Sequence, residues 1–417
     1  MLARITMTAA ALLLAACQST SPPTATATPP AASPAAAAPA AAPPPAWQQG
    51  RAPDQASSKL APHAGRMTAT PVSELPVANF KLPPGFKAEV WAAGMPGVRA
   101  MARGDSGKVY IGTRGIGRVY EVTDTGGQRT SRVVVDKMVQ PAGVAMRGGA
   151  LYVVAIDKVL RYDGIEKNPG VAPVDMTAAF QLPKEQHHNW KYIAFGPDGK
   201  LYVPFGAPCN ICEPTAEYAQ IRRYNADGSG MEVIARGVRN TQGFDWHPTT
   251  KEMWFTDHGR DWMGDDSPED ELNRMAKTGA NFGFPHCHAN AVPDKDIRKA
   301  NPCDGVTLPV QTMGPHSAVM GVHFYTGSMF PAEYRNVMFV ARKGSWNRTK
   351  KFGYDVVTVR ADAEGRNAKV EPFMTGFLNP TTDEFSGRPT YFLQLPDGSL
   401  LVSDEQLGAI YRITYAR

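Results

Sequence analysis

The chain has no long run of charge of one sign. Its 44 Lys and Arg nearly balance 39 Asp and Glu, leaving a formal charge of +5 over 417 residues. That balance admits an anionic small ligand but excludes the clustered basic footprint of a nucleic-acid binder. No apolar stretch is long enough to cross a bilayer as a helix in the mature protein. Long helix-period patterns are missing as well. Glycine is frequent instead, at 39 residues, and apolar residues alternate over short spans, so helical bundles are excluded and an all-β fold is expected. Cysteine is scarce, with five residues in all, and one of these falls in the first twenty.

That first cysteine belongs to a targeting pattern. Met1 to Arg4 gives a short positive start, Ala9 to Ala16 is small and apolar, and Leu14-Ala15-Ala16-Cys17 resembles a bacterial lipobox. Residues 1–16 are therefore expected to be a signal peptide, with Cys17 lipidated; the alternative is an ordinary signal peptide that happens to contain a cysteine. The expected location is the cell envelope, held to the membrane by the lipid anchor only. Gln18, where Asp would signal retention, favours the periplasmic face of the outer membrane. From Gln18 to about Ala61 the chain is Ala, Pro, Ser and Thr, a composition that cannot bury a core. Residues 17–80 are expected to be a disordered tether and residues 81–417 the folded domain.

The four remaining cysteines form an even set in an exported protein, which favours disulfides. The expected pairs are Cys209–Cys212 and Cys287–Cys303, each closing a short loop. A c-type haem would need His after Cys209-Asn210-Ile211-Cys212, and Glu213 stands there. A thioredoxin-like site would need a βαβ frame, which the pattern lacks.

One unit recurs: a turn, an alternating aromatic or aliphatic strand, a gap and a second strand. Its copies start at Gly107, Gly149, Gly199, Lys251, Asn336 and Gly398, with "GKVYI", "GALYV", "GKLYV", "KEMWF", "NVMFV" and "GSLLV". Six such meanders, none able to bury both faces alone, predict a six-bladed β-propeller of four-stranded antiparallel blades. Phe86 to Trp91 alternates and is expected to help close the ring.

Polar residues stand where innermost strands should begin: His187-His188-Asn189, Arg239-Asn240-Thr241 and Gly387-Arg388-Pro389. In a propeller these places meet at one end of the channel. Together with "IAFGPDGKLYV", "RNTQGFDWHP", "DHGRDWMGDDSPEDELN", "FYTGSMFP", "KGSWNR" and "GRPTYFLQLPDGSLLVSD", the sequence resembles the soluble PQQ-dependent sugar dehydrogenases, in particular their sorbosone dehydrogenase-like branch, from about Leu82 to Ile413. The resemblance implies a propeller holding PQQ with Ca²⁺ against the quinone. It implies His188 as catalytic base, Arg239 and Asn240 as cofactor contacts, and Lys343 and Arg388 as cations around the PQQ carboxylates and quinone. It also implies the Gly259 and Arg260 carbonyls as Ca²⁺ ligands and His316 at a cofactor-contact position, though with a different residue type from the glucose enzymes.

The chemistry is coherent. A tricarboxylate needs fixed cations, and Arg suits bidentate carboxylate binding. Ca²⁺ takes carbonyl oxygens and acts as a Lewis acid. A neutral His accepts a hydroxyl proton while hydride passes to the quinone. Strand alternation would turn His187 away from the site. The acidic loop residues Asp261, Asp265, Asp266, Glu269, Asp270 and Glu271 form either a solvated loop or a second, structural Ca²⁺ site. One departure from the glucose enzymes is Ala207, where they carry an acidic residue that orients the base. The expected partners are a sugar-type substrate and an external quinone or cytochrome acceptor, with no nucleic acid. The alternatives are a Ca²⁺-dependent propeller hydrolase of lactonase type and a non-catalytic propeller that binds glycan or protein.

Overall fold

The structure, a computed structural model, describes residues 45–185 and 187–416. Six sheets follow one another along the chain as the blades of a propeller, antiparallel except where Ala280–Asn281 joins blade 3 in parallel. Their innermost strands are Val98–Arg103, Gly143–Arg147, Ala194–Phe195, Thr241–Trp246, Val319–Phe324 and Pro389–Gln394, which begin blades 1 to 6 in turn.

The six sequence repeats all occupy the same place, the second and third strands of a blade. These strands are covered on both faces by neighbouring blades, so they read as nearly continuous apolar runs: all five residues of Ala150–Val154, Leu201–Phe205 and Met253–Asp257 are buried. Blades pack through aromatic edges. Trp254 of blade 4 is fully buried and meets Phe324 of blade 5 edge-on at 5.8 Å. Near the axis the inner strands approach closely. A Cβ on Gly321 would meet the Thr390 carbonyl of blade 6 at 2.9 Å, which explains glycine there.

Ring closure follows the expectation for Phe86 to Trp91. Phe86–Ala92 pairs antiparallel with the last strand, Ala409–Tyr415, so blade 6 is built from both ends of the domain. Two insertions depart from the plain repeat. Residues 206–219 of blade 3 carry the Cys209–Cys212 disulfide, and residues 275–310 of blade 4 carry Cys287–Cys303, so both expected pairs are present.

The expected tether over residues 17–80 needs correction where it is described. Residues 45–80 lie on the propeller as short 3-10 turns and extended chain. Phe80 packs on Phe377 and Tyr411, at 4.6 and 4.9 Å between ring centroids, and Lys81 bridges to Thr375. Composition averages over such a segment and misses isolated anchors. A few aromatic residues hold it down without any regular element. The signal-peptide and Cys17 expectations lie outside the described residues. Among the described residues, no helix is long and apolar enough to cross a membrane.

Candidate active site

In antiparallel blades, the start of each innermost strand lies beside the end of the second strand. Thr241 pairs with Asp257, Val319 with Arg342 and Pro389 with Asp404. Residues just before the first position and just after the second therefore collect at one end of the channel. Arg239, Asn240, His316 and Arg388 come from strand entries; His258, Gly259 and Lys343 come from second-strand exits. All seven, with His188, line one cavity. The space it encloses, including open solvent at its mouth, is about 790 Å³.

Two aspartates fix the entries in the same way. Asp257 accepts from the Arg239 and Asn240 backbone N–H groups at 2.7 and 2.8 Å and from the Thr241 hydroxyl at 3.0 Å. Asp404 accepts from the Arg388 N–H at 2.9 Å. Burial pushes the Asp257 carboxyl up to about 7, against those hydrogen bonds.

His188 is buried, and its Nδ1 lies 3.1 Å from the Ala207 carbonyl. An N–H must donate there, which leaves Nε2 as the acceptor. Burial first, then His187, Arg239 and His258, hold the imidazole well below its ordinary pKa, so it is neutral at pH 7. The group that orients this ring is thus a backbone carbonyl, in the place where Ala207 departs from the glucose enzymes.

His187 contradicts the alternation argument. It also lines the cavity, with its ring centroid 4.0 Å from that of His188. Alternation assumes extended backbone, but His188 has φ of 54° and both residues sit in a turn ahead of the inner strand. Burial and Arg239 lower His187 to about 4, and its Nε2 is buried without a partner among the described residues.

Arg239 donates to the Asn210 carbonyl at 2.9 Å, to Asn210 Oδ1 at 2.7 Å and to the Gly259 carbonyl at 2.8 Å, and pairs with Asp261 at 3.1 Å. Asn240 Oδ1 accepts from Gln242 at 2.6 Å, and its amide nitrogen lies 3.2 Å from His258 Nδ1. His316 Nε2 donates to the Gly264 carbonyl at 2.8 Å. Arg388 donates to the Lys343 and Gly344 carbonyls at 3.2 and 3.1 Å.

For Arg260 the expected Ca²⁺ ligand is the backbone carbonyl, and the side chain serves elsewhere. Its side chain is fully buried away from the cavity, at 2.9 Å from Asp294 and 2.8 Å from Asp296. The acidic loop is also spent on separate partners. Asp265 accepts from Thr349, Asp266 pairs with Arg348, and Asp270 accepts from Gly259, Ser317 and Ala318. Among the described residues no three acidic, His or Cys side chains group as a metal site.

Sequence reasoning missed a charge cluster. Arg99 and Arg114 of blade 1 reach Glu405 of blade 6, at 2.6 and 3.4 Å. Lys343 and Arg388 act on the same carboxylate. Burial alone would raise Glu405, but Arg99, Lys343, Arg114 and Arg388 hold it well below the usual carboxylate range. Burial and the neighbouring cations lower Lys343 well below an ordinary lysine. Four basic side chains thus gather near Glu405, with Asp404 a second buried carboxylate beside Arg388. The available signal was Arg99 itself, a charge at the second position of the buried inner strand "VRAMAR".

The sequence of residues 80–416 matches the family model described as TrAA12-like. An uncharacterised protein of Borreliella burgdorferi is 31% identical over 353 residues, covering 82% of this chain and 92% of that protein. Among solved structures, the calcium structure of a Trichoderma reesei enzyme of carbohydrate-active family AA12 has a TM-score of 0.67 at 18% identity, covering 81% of this chain and 97% of that one. The holo form of the PQQ domain of pyranose dehydrogenase from Coprinopsis cinerea also scores 0.67 at 18% identity, covering 80% and 97%. The PQQ-bound aldose sugar dehydrogenase of Streptomyces coelicolor scores 0.57 at 18% identity, covering 81% and 100%. At these identities the structural likeness speaks for the fold, a shared six-bladed propeller. With the family model matched over the whole ring, the chain belongs to the TrAA12-like family.

Proposed function

We propose that this protein is a PQQ- and Ca²⁺-dependent oxidoreductase of a sugar or sugar-derived alcohol or aldehyde. The observation that carries the reading is a cluster of buried basic side chains: Arg99 and Arg114 pair with Glu405, and Lys343 and Arg388 stand within its electrostatic reach on the wall of a cavity that also holds a neutral histidine. Such a cluster suits a polycarboxylate ligand. PQQ-bound and calcium-bound relatives support it.

The donor set fits the implied groups. Lys343, Arg388 and Arg114 would hold the carboxylates, with Arg99 adding charge from behind. The Gly259 carbonyl and the Asp261 carboxylate offer oxygens to Ca²⁺; the Arg239 guanidinium now binds both and would share them. When bound, PQQ supplies a quinone that accepts hydride and Ca²⁺ polarises it. His188 Nε2 takes the proton of the substrate hydroxyl, while the Ala207 carbonyl holds its ring through Nδ1. The basic cluster disfavours a lactonase-type hydrolase, which would want clustered carboxylates. Electrons leave to an external quinone or cytochrome.

Reconstitution tests this reading. PQQ with Ca²⁺ should confer dye-linked sugar dehydrogenase activity, and Lys343→Ala or Arg388→Ala should weaken PQQ binding by about tenfold or more. Full activity in EDTA, turnover with NAD⁺ alone, or wild-type PQQ affinity in both variants would overturn it. The anchoring proposal rests on sequence: lipid on Cys17 holds the enzyme in the cell envelope. Cys17→Ser should release it, and a native protein without acyl groups in the soluble periplasmic fraction would refute that.

A further inference from the structure

We infer that residues 46–63 are a built wall of the active site, a roof that selects substrates by size, with Trp47 as its specificity-determining residue. The inference rests on the proposed sugar oxidoreductase reading. Trp47, Pro62 and His63 line the cavity beside residues contributed by the blades. The segment is fastened at two places. At one, Trp47 stands edge-on to Trp346 at 5.6 Å and stacks near Trp262 at 6.4 Å, and the Trp262 indole donates to the Trp47 carbonyl at 2.6 Å. At the other, His63 Nε2 lies 2.9 Å from the Tyr354 hydroxyl and 3.1 Å from the Ser345 carbonyl.

A hydrogen-bond chain ties this roof to the cation set. Asn210 donates through its backbone to Gln49 Oε1 at 3.1 Å and through its amide to the Gln49 carbonyl at 2.6 Å. The same Asn210 accepts twice from Arg239. It is fully buried and sits inside the Cys209–Cys212 loop, so the disulfide braces the joint between roof and cavity. Between its two fastenings, the Arg51 guanidinium lies over Trp262 at 4.9 Å and donates to the Gln55 carbonyl at 2.8 Å, which keeps the segment folded on itself. The indole edge of Trp47 and the ring of His63 therefore limit how far a bound sugar extends beyond the reacting carbon. On this inference a longer saccharide must lift the roof and a monosaccharide need not.

Two variants test this. Deleting residues 46–63 removes the wall. Gly50→Val unseats it with no change to the blade sequence, because Gly50 has φ of 71°, where a β-branched residue is strained, and a Cβ there would run into the Arg260 guanidinium. The holoenzymes would be assayed on a monosaccharide, a disaccharide and a trisaccharide of one series. The ratio of kcat/KM for trisaccharide over monosaccharide should rise about tenfold or more in both variants. Acrylamide quenching of tryptophan fluorescence in the protein before PQQ is added should rise about twofold or more in both, as Trp346 and Trp262 are uncovered. Unchanged quenching overturns the roof, whatever the cofactor does. Raised quenching with an unchanged substrate ratio overturns its role in selection. A wild-type protein that binds no PQQ overturns the oxidoreductase reading, and size selection with it, while the quenching result still decides whether the roof exists.

Discussion

Glu405→Gln removes the carboxylate near Arg99, Arg114, Lys343 and Arg388 while keeping its shape. The Arg99 and Glu405 side chains are 1% and 5% exposed, and the pair is supported by a second contact, Arg99 Nε to Oε2 at 2.7 Å. Breaking a buried pair by removing one partner costs about 3–5 kcal/mol; glutamine still accepts a hydrogen bond, so about 3 kcal/mol is expected here. For a domain this large that corresponds to a fall in Tm of about 5 °C. The sign with pH follows from the depressed carboxyl. Its stabilisation is present above its ordinary value of 4.5 and is lost as pH falls through the lower value it has in the folded protein. The gap between wild type and variant should thus be full at pH 7 and shrink progressively under acid. Saturating PQQ should narrow it further, since an anion replaces the missing charge and ligation itself stabilises the fold. Calorimetry at pH 7 and at acid pH, with and without PQQ, makes the measurement. A pH 7 difference below about 1 kcal/mol in a folded variant would mean the four cations do not need that carboxylate.

The two histidines separate by kinetics. His188→Ala should lower turnover by about 10²–10⁴-fold with PQQ affinity little changed, as loss of a general base does. His187→Ala should act mainly on KM, since its ring lines the cavity without the Ala207 brace; a larger kcat loss than His188→Ala would assign the base to His187.

The propeller was legible because the second and third strands of every blade are buried on both faces, and "GALYV" or "GKLYV" can satisfy that demand in few other folds. Arg239 and Arg388 were legible for a related reason: each is a charge within two residues of the start of an inner strand. Glu405 was not, because its partner Arg99 lies 306 residues away and only ring closure joins them. His187 was misread because the period-two rule fails at one left-handed residue. The partners of the Arg260 side chain were not legible either, since Asp294 and Asp296 come from a distant insertion. The roof was hidden by its own composition, since a Pro- and Ala-rich stretch carries no periodicity to report where Trp47 or His63 will dock.

Blade 6 takes its outer strand from Phe86–Ala92 and its third from Ala409–Tyr415, so the first strand of the ring to be synthesised waits for the last. Blades 1 and 6 meet only when the ring closes, and Arg99 and Arg114 find Glu405 at that meeting. The cation cluster is therefore an event of completion: it exists only in chains that have closed. A polyanion that binds there recognises the finished ring over every shorter intermediate, and its binding energy is spent on the seam that holds the circle shut.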